Sequence, residues 1–250
     1  MFNQFWQGML NLVYPPCCLI CNIHHQNSLL SPGQDQNTIN RLLCASCQKS
    51  LVMNHPRCCP KCSRHLDSAY GHRLCKDCRE HDIHFDFAWG AYLYQNNLKT
   101  LLHQFKYHQT TYLSQLFCAM MTRYISTYHL DIHQFDLLLP LPLSQTRQRE
   151  RGYNQSALLA QGLSRIYGIP VITHCLRKVK NTLPQAQLGE KERWTNISGA
   201  FTIRHSEVLS GRSILLIDDL LTTGATVNEA TITLKSAGVS KVGVFALAIN

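Results

Sequence analysis

The stretch that decides the fold runs from Ile214 to Thr226 and reads Ile-Leu-Leu-Ile-Asp-Asp-Leu-Leu-Thr-Thr-Gly-Ala-Thr. Its four apolar residues predict a buried strand over Ser213–Ile217, and two carboxylates, Asp218 and Asp219, follow at the strand's carboxyl end. A turn of threonine and glycine then opens a helix predicted over Gly224–Ala237. Because ligands of open α/β sheets bind beyond the carboxyl ends of the strands, this stretch predicts a ligand site.

The residue types of this turn suit a ribose 5-phosphate. Backbone N–H groups and hydroxyls at a helix N-terminus bind phosphate, and a glycine lets the backbone approach the ligand closely. Two adjacent carboxylates can accept hydrogen bonds from two vicinal hydroxyls. If the carboxylates only capped the helix, one acceptor would be enough and the threonines would have no explanation. The predicted phosphate loop comprises Thr222, Thr223, Gly224, Ala225 and Thr226.

Strands and helices alternate through the rest of the C-terminal two thirds. The other predicted elements are Phe87–Tyr94, Leu98–Phe105, Tyr112–Tyr128, Leu137–Leu143, Asn154–Tyr167 and Val242–Ile249. This alternation predicts an α/β domain over residues 85–250, with a mainly parallel sheet flanked by helices.

Cysteine dominates the first third of the chain. Of the 12 cysteines, eight form Cys-x-x-Cys pairs: Cys18/Cys21, Cys44/Cys47, Cys59/Cys62 and Cys75/Cys78. Two such pairs complete a closed, structural four-thiolate zinc site. A segment this poor in apolar residues needs metal to fold, so we predict a zinc-binding module over residues 17–84. A redox-active dithiol is the other interpretation.

The sequence leaves the pairing of the cysteine knuckles open. Sequential pairing separates the two knuckles of each site by 22 and 12 residues, whereas interleaved pairing separates them by 37 and 27. Shorter gaps cost less loop-closure entropy, which favours sequential pairing. Cys17 and Cys58 each precede a pair and could replace a ligand, but the Cys-x-x-Cys spacing favours Cys18 and Cys59.

Residues 1–16 are predicted to form an amphipathic helix that ends at Pro15 and Pro16. It could pack on the body of the protein or associate with a membrane surface. No apolar stretch reaches the roughly 18 residues that a transmembrane helix needs, and Met1–Val13 lacks the basic start of a signal peptide. We therefore expect a cytoplasmic protein without stable membrane insertion.

A second block of polar residues follows the predicted strand Leu137–Leu143. It contains three alternate arginines, Arg147, Arg149 and Arg151, and then Gly-Tyr-Asn-Gln with Asn154. The guanidinium fork binds phosphate well, so this block predicts an anion site, with a solvated basic loop as the alternative. A third block places Arg193 and Asn196 before Gly-Ala-Phe, either as ligand contacts or as surface polar residues.

Taken in order, these motifs resemble the ComF family of bacterial competence proteins over nearly the whole chain. The shared motifs are the cysteine pairs, Phe-Lys-Tyr around Lys106, the arginine block, Thr182-x-x-Gln185, Arg193-x-x-Asn196 and the Asp-Asp loop. The resemblance implies a double zinc ribbon joined to a type I phosphoribosyltransferase-like domain that binds 5-phosphoribosyl pyrophosphate (PRPP). Leu220 and Leu221 depart from it, since many relatives have Val-Tyr there.

The resemblance also implies roles for individual residues. Asp218 and Asp219 would hold the ribose hydroxyls, the Thr222–Thr226 loop would hold the 5-phosphate, and Mg²⁺ would bind the pyrophosphate and sugar oxygens. The residues expected at the ligand are Asp218, Asp219 and Arg147 as catalytic groups, and Thr222, Thr223, Gly224, Ala225, Thr226, Arg149, Arg151, Asn154, Lys106 and Arg193 as binding groups.

Two functions fit these features. One is a cytoplasmic competence factor that handles incoming single-stranded DNA in natural transformation and binds PRPP with Mg²⁺, together with other DNA-uptake proteins. The net charge of +9 and the run Phe105–His108, which could stack bases, favour a nucleic-acid partner. The other is a catalytic phosphoribosyltransferase that acts on an unidentified nitrogenous acceptor. A regulator that only senses PRPP is a third interpretation.

Overall fold

The computed structural model describes residues 17–24, 34–55, 58–66, 74–180 and 190–250. The predicted helix over residues 1–16 lies outside these residues. In chain order, the described elements are α1 (Gln34–Leu42), α2 (Ala45–Lys49), α3 (Lys76–Glu80), β1 (Phe87–Leu93), α4 (Asn96–Tyr107), α5 (Leu113–Thr127), β2 (Leu137–Pro140), α6 (Gln145–Arg151), α7 (Gln155–Tyr167), β3 (Leu176–Lys178), α8 (Glu190–Ile197), β4 (Phe201–Ile203), β5 (Ser213–Leu221), α9 (Ala225–Ser236) and β6 (Lys241–Ile249).

Four parallel strands form the central sheet in the order β1-β6-β5-β2. Strands buried on both faces read as continuous apolar runs, which explains the Ile-Leu-Leu-Ile run that opens β5. Leu215 and Ile217 face a core that includes residues of α4, α5 and α7. Ile214 and Leu216 face a second core that includes residues of α8 and α9. The predicted α/β class with a parallel sheet flanked by helices is confirmed.

Two features of the structure differ from the sequence interpretation in ways that matter for the site. Strand β5 does not end at Ile217 but continues to Leu221, because its ladder to β6 pairs Asp218 with Ala246 and Leu220 with Ala248. The two carboxylates therefore lie inside the last part of the strand. The arginine block is not a loop but helix α6, which Ser144 caps through its hydroxyl and which ends at the left-handed Gly152.

The sequence prediction also missed a small second sheet. Strands β3 and β4 pair antiparallel, with Arg177 opposite Thr202. This antiparallel pair carries Lys178, whose charge interacts with that of Asp218 at the carboxyl end of β5.

The cysteine-rich segment covers the free edge of β1. Asn54 donates its backbone N–H to the carbonyl of Ala91 at 2.9 Å, and Ala88 donates to the carbonyl of Lys61 at 2.8 Å. An edge strand left open would be a template for aggregation, so this cover protects the sheet. Cysteines of this segment share the two cores of the sheet, with Cys18 in the first and Cys59 in the second.

Among the described residues, no helix has the combination of length and apolar character that crossing a bilayer would require.

Candidate functional site

The loop between β5 and α9 forms the floor of the candidate site. Gly224 occupies the left-handed region at φ 83°, a conformation that favours glycine, and is the N-cap residue of α9. Thr223 is buried and its Oγ1 accepts a hydrogen bond from the backbone N–H of Ala225 at 3.4 Å. The first turn of a helix leaves backbone N–H groups without intrahelical partners, so this loop offers donors to an anion.

The two carboxylates at the end of β5 have different partners. Asp218 Oδ1 accepts hydrogen bonds from Ser156 Oγ at 3.2 Å and from the backbone N–H of Asp219 at 2.8 Å. Asp219 is buried, and its Oδ2 lies 2.9 Å from Lys106 Nζ. Each carboxylate is thus fixed in orientation by its own neighbour, from α7 in one case and α4 in the other.

Burial and neighbouring charges shift the pKa values of Asp218 and Lys106. Burial, reinforced by the neighbouring charge of Asp219, raises the pKa of Asp218 to about 7, and Lys106 only partly opposes this rise. Burial disfavours the charge on Lys106, but the carboxylate of Asp219 outweighs it and raises the pKa of this lysine. Lys106 is therefore charged at neutral pH, whereas Asp218 titrates near neutrality.

Helix α6 separates the three predicted arginines. Residues four apart lie on one side of a helix, so Arg147 and Arg151 share a side and Arg149 points away from it. Arg147 and Arg151 are half-buried, whereas Arg149 is exposed. Arg151 donates to Gln155 Oε1 at 2.9 Å and lies 5.2 Å from the ring centre of Tyr107. The alternate spacing therefore does not bring all three arginines to one point.

The predicted ligand residue Asn154 has a structural role in the described residues. Asn154 caps α7, because its Oδ1 accepts from the N–H of Ser156 at 3.0 Å and its Nδ2 donates to the carbonyl of Leu141 at 3.0 Å. Both ends of its amide are used in this way, and the cap orients the serine that contacts Asp218. The side chain of Arg193 lies outside the described residues, as do Thr182 and Gln185.

Sequence reasoning missed Ser156 and Lys178. Lys178 is half-buried on β3, and burial together with the charge of Arg147 lowers its pKa to about 8, whereas Asp218 opposes this change. Its neighbours in the sequence, Arg177 and Val179, gave no motif that singled it out. The cationic groups near the acidic pair are Lys106, Arg147, Arg151 and Lys178. This excess of positive charge suits a ligand that carries several negative charges.

The eight paired cysteines form two clusters. The first tetrad consists of Cys18, Cys21, Cys44 and Cys47, and the second tetrad of Cys59, Cys62, Cys75 and Cys78. Within each tetrad all Sγ atoms lie within 4.8 Å of one another. The pairs are thus combined sequentially, as the shorter gaps favoured.

The tetrads have the dimensions that a tetrahedral metal ion requires. A zinc ion with bonds of about 2.3 Å to four thiolates places the sulfur atoms about 3.8 Å apart. Cys21 Sγ and Cys44 Sγ lie 3.7 Å apart, and Cys62 Sγ and Cys75 Sγ lie 3.5 Å apart. Each tetrad could therefore hold one metal ion.

Comparisons with known proteins match both the type of domain and most of the length of the chain. Residues 154–249 match the family model "Phosphoribosyl transferase domain". Competence protein F of Haemophilus influenzae is 32% identical over 211 residues, which cover 82% of this chain and 90% of that protein. Competence protein ComFC of Bacillus subtilis is 28% identical over 92% of this chain and 91% of its own length. DNA utilization protein YhgH of Escherichia coli K12 is 28% identical over 82% of this chain and 96% of its own length.

The fold and the loop after β5 define the C-terminal part as a phosphoribosyltransferase-like domain. Joined to the cysteine tetrads and matched over most of its length by these relatives, the chain belongs to the ComF family of competence proteins. The resemblance noted from the motifs is thereby confirmed.

Proposed function

We propose that this protein binds the 5-phosphoribosyl group of PRPP, with Mg²⁺, and serves in the cytoplasm as a competence factor that handles incoming single-stranded DNA. The observation that carries the proposal is the acidic pair held by Ser156 and Lys106 directly before the Thr-Thr-Gly loop. Two fixed carboxylates suit two ribose hydroxyls, and the loop donors suit the 5-phosphate. The relatives named for competence and DNA utilization support the biological role.

The charged residues of the site would contact different parts of the ligand. Lys178 and Arg147 would face the pyrophosphate, because the charge of Lys178 interacts both with Asp218 and with Arg147. Mg²⁺ would arrive bound to pyrophosphate and sugar oxygens, since Lys106 already neutralises Asp219. Zinc would fill the two tetrads and stabilise the N-terminal module. Electrostatic stabilisation of departing pyrophosphate by these cations would also serve a phosphoribosyltransferase, which is the second candidate function.

Calorimetric titration with Mg²⁺-PRPP across pH tests the ligand. We expect affinity to rise from pH 6 to about 7.5, because Asp218, with its pKa of about 7, must lose a proton to accept from the ribose. We expect it to fall above pH 8, where Lys178 loses its charge. Binding at pH 6.5 should release a proton from the carboxyl group.

The variant Asp218→Asn distinguishes the pH dependence caused by the Asp218 carboxyl from the pH dependence caused by the phosphates of PRPP. In this variant the affinity should no longer rise because of Asp218, and only the pH dependence that comes from ionisation of PRPP should remain. Wild-type protein that binds no Mg²⁺-PRPP at any pH would refute the proposed ligand. Pyrophosphate release in the presence of a panel of bases or amines would favour the enzyme over the binding protein.

A surface beside the site is suited to single-stranded DNA. Phe105 is buried and so cannot stack bases, contrary to the interpretation of the whole Phe105–His108 run. Tyr107, by contrast, is 61% exposed, with the His103 ring 4.7 Å and the Arg151 guanidinium 5.2 Å from its own ring centre. Exposed aromatic and cationic groups together are the usual platform for unpaired bases.

Two changes on this surface test the DNA partner. Tyr107→Leu should weaken binding of a short single strand about tenfold, since base stacking on an aromatic ring contributes roughly 1–3 kcal/mol. Tyr107→Phe, which keeps the ring, should bind like the wild type. Arg151→Glu should weaken binding and make it less sensitive to salt, because fewer phosphate contacts release fewer counterions. Fluorescence anisotropy from 50 to about 300 mM salt measures all three variants. Equal affinity of the leucine and phenylalanine variants would rule this surface out.

A further inference from the structure

One arginine of the second cysteine tetrad reaches the phosphate loop. Arg64 follows Cys62 by two residues, and its side chain is 26% exposed. Its Nη2 donates to the backbone carbonyl of Thr222 at 3.0 Å, across 158 residues of sequence. Its Nη1 donates to Asp77 Oδ2, and the two groups form an ion pair in which Asp77 is only 11% exposed.

Both ends of this arginine depend on the second tetrad. Asp77 lies between Cys75 and Cys78 on α3. The backbone carbonyl of Arg64 accepts a hydrogen bond from the N–H of Cys59 at 2.8 Å. The position of the guanidinium is therefore set by the same turns that bring the four sulfur atoms together.

The contact fixes the first peptide of the phosphate loop. A trans peptide is planar, with its carbonyl and N–H pointing in opposite directions. Holding the carbonyl of Thr222 toward Arg64 therefore aims the N–H of Thr223 away from it. Because the donor is a charged guanidinium, this hydrogen bond is stronger than one between neutral groups.

A second set of contacts joins the segment after the tetrad to the same region. Asn228, in the first turn of α9, accepts from the backbone N–H of His84 at 2.7 Å and donates to the carbonyl of Asp82 at 3.0 Å. Phe85 lies beside Gly224, since a Cβ at that glycine would be 3.8 Å from the phenyl ring. The first tetrad lies elsewhere, since Cys18 and Cys47 belong to the core of α4, α5 and α7.

We infer that Arg64 is a positioning residue that couples metal occupancy of the second tetrad to the affinity for the phosphate group of the phosphoribosyl ligand. The first tetrad does not have this effect. The inference rests on the proposed function, because it needs a phosphorylated ligand on the Thr222–Thr226 loop.

The test compares Arg64→Ala and Arg64→Lys with Arg79→Ala, an exposed arginine of the same tetrad helix. Calorimetry measures binding of Mg²⁺-PRPP, ribose 5-phosphate and inorganic pyrophosphate, and elemental analysis measures zinc in each protein. We expect Arg64→Ala to lower the affinity for PRPP and for ribose 5-phosphate by about tenfold, because the phosphate loop is no longer held in its binding conformation before the ligand arrives. Pyrophosphate, which does not need the loop, should bind as before. Arg79→Ala should match the wild type.

The conservative variant Arg64→Lys distinguishes loss of the contact from a folding defect. Lysine keeps the charge but cannot donate to Asp77 and Thr222 with a planar fork, so Arg64→Lys should give an intermediate loss. Ribose 5-phosphate affinity within twofold of wild type in a zinc-replete Arg64 variant would overturn the inference. An equal loss for pyrophosphate and ribose 5-phosphate would overturn it too, because it would indicate a general structural defect. Absence of PRPP binding in the wild type would instead refute the proposed function.

Discussion

Replacing Asp218 and Asp219 together by alanine should lower the affinity for Mg²⁺-PRPP by at least about tenfold. Each carboxylate that accepts a hydrogen bond from a ribose hydroxyl contributes roughly 1.5–3 kcal/mol. Part of this loss is offset, because Lys106 is freed from Asp219 and becomes available to the anionic ligand. Calorimetric titration of the wild type and the double variant measures the difference.

The double variant should keep its fold. The raised pKa of Asp218 means that burying its charged form opposes folding at neutral pH, so removing Asp218 should not lower the melting temperature. Removing Asp219 leaves the buried ammonium group of Lys106 without its partner, so the double variant should fold but melt at a lower temperature than the wild type. The pKa of Asp218 is about 7 in the folded protein and 3.8 ordinarily, so the folded state binds this proton more tightly than the unfolded state does. The contribution of Asp218 to the free energy of unfolding therefore falls as pH rises from about 4 to 7. Asp131→Ala, which removes an exposed carboxylate elsewhere, controls for the loss of one negative charge. Unchanged PRPP affinity in the double variant would contradict the assigned site.

Cells that carry the double variant connect the site to its biological role. We expect them to take up transforming DNA poorly, in parallel with the loss of PRPP binding. If binding is lost and transformation persists, DNA handling does not require the phosphoribosyl ligand, and the Tyr107 surface would then act alone.

Changing Cys59 and Cys62 to serine should prevent binding of one of the two proposed zinc ions and destabilise the whole phosphoribosyltransferase-like domain. The four thiolates of the second tetrad belong to the same buried cluster as Leu216, Ala225 and Val244, so their collapse would open the core of the sheet. Metal binding supplies folding free energy to such modules, and removing it costs several kcal/mol. Elemental analysis and thermal unfolding measure the two effects.

A neighbouring cysteine gives the control for this change. Cys58 precedes Cys59 but lies outside the tetrad, so Cys58→Ser should retain both zinc ions and most of the stability. The paired change Cys18→Ser and Cys21→Ser should also remove one zinc but spare PRPP affinity more than the change in the second tetrad. A Cys59/Cys62 variant that keeps two zinc ions would contradict the assigned ligands.

Short-range patterns in the sequence predicted the parallel sheet and the loop after β5. The Ile-Leu-Leu-Ile run and the Thr-Thr-Gly turn are local signals, because burial on both faces and a left-handed turn each require particular residue types. Sequential pairing of the cysteine knuckles is also a short-range feature, since the shorter gaps cost less loop-closure entropy. The helix that carries Arg147 was missed because alternate arginines after prolines resemble a loop, whereas Ser144 at the N-cap was the available helix signal.

Long-range contacts explain what the sequence could not predict. Lys178 enters the site because the pair β3–β4 carries it there, and nothing in its neighbouring residues indicates this pairing. Arg64 contacts Thr222 through a packing arrangement between segments 158 residues apart. The burial of Phe105 and the exposure of Tyr107, by contrast, were predictable, because Phe105 continues the helical spacing of the buried Leu98, Leu101 and Leu102 and Tyr107 does not.

The position of β6 in the sheet has a consequence for synthesis on the ribosome. Among the strands of the described residues β6 comes last in the sequence, yet it lies between β1 and β5. The cysteine-rich segment emerges first and can acquire its metal early, but β1 cannot join the sheet until β6 has been made. Nascent chains should therefore expose the apolar faces of the other strands until β6 has been made. A ribosome stalled before Lys241 would hold the chain in that state and make it a natural target for chaperones.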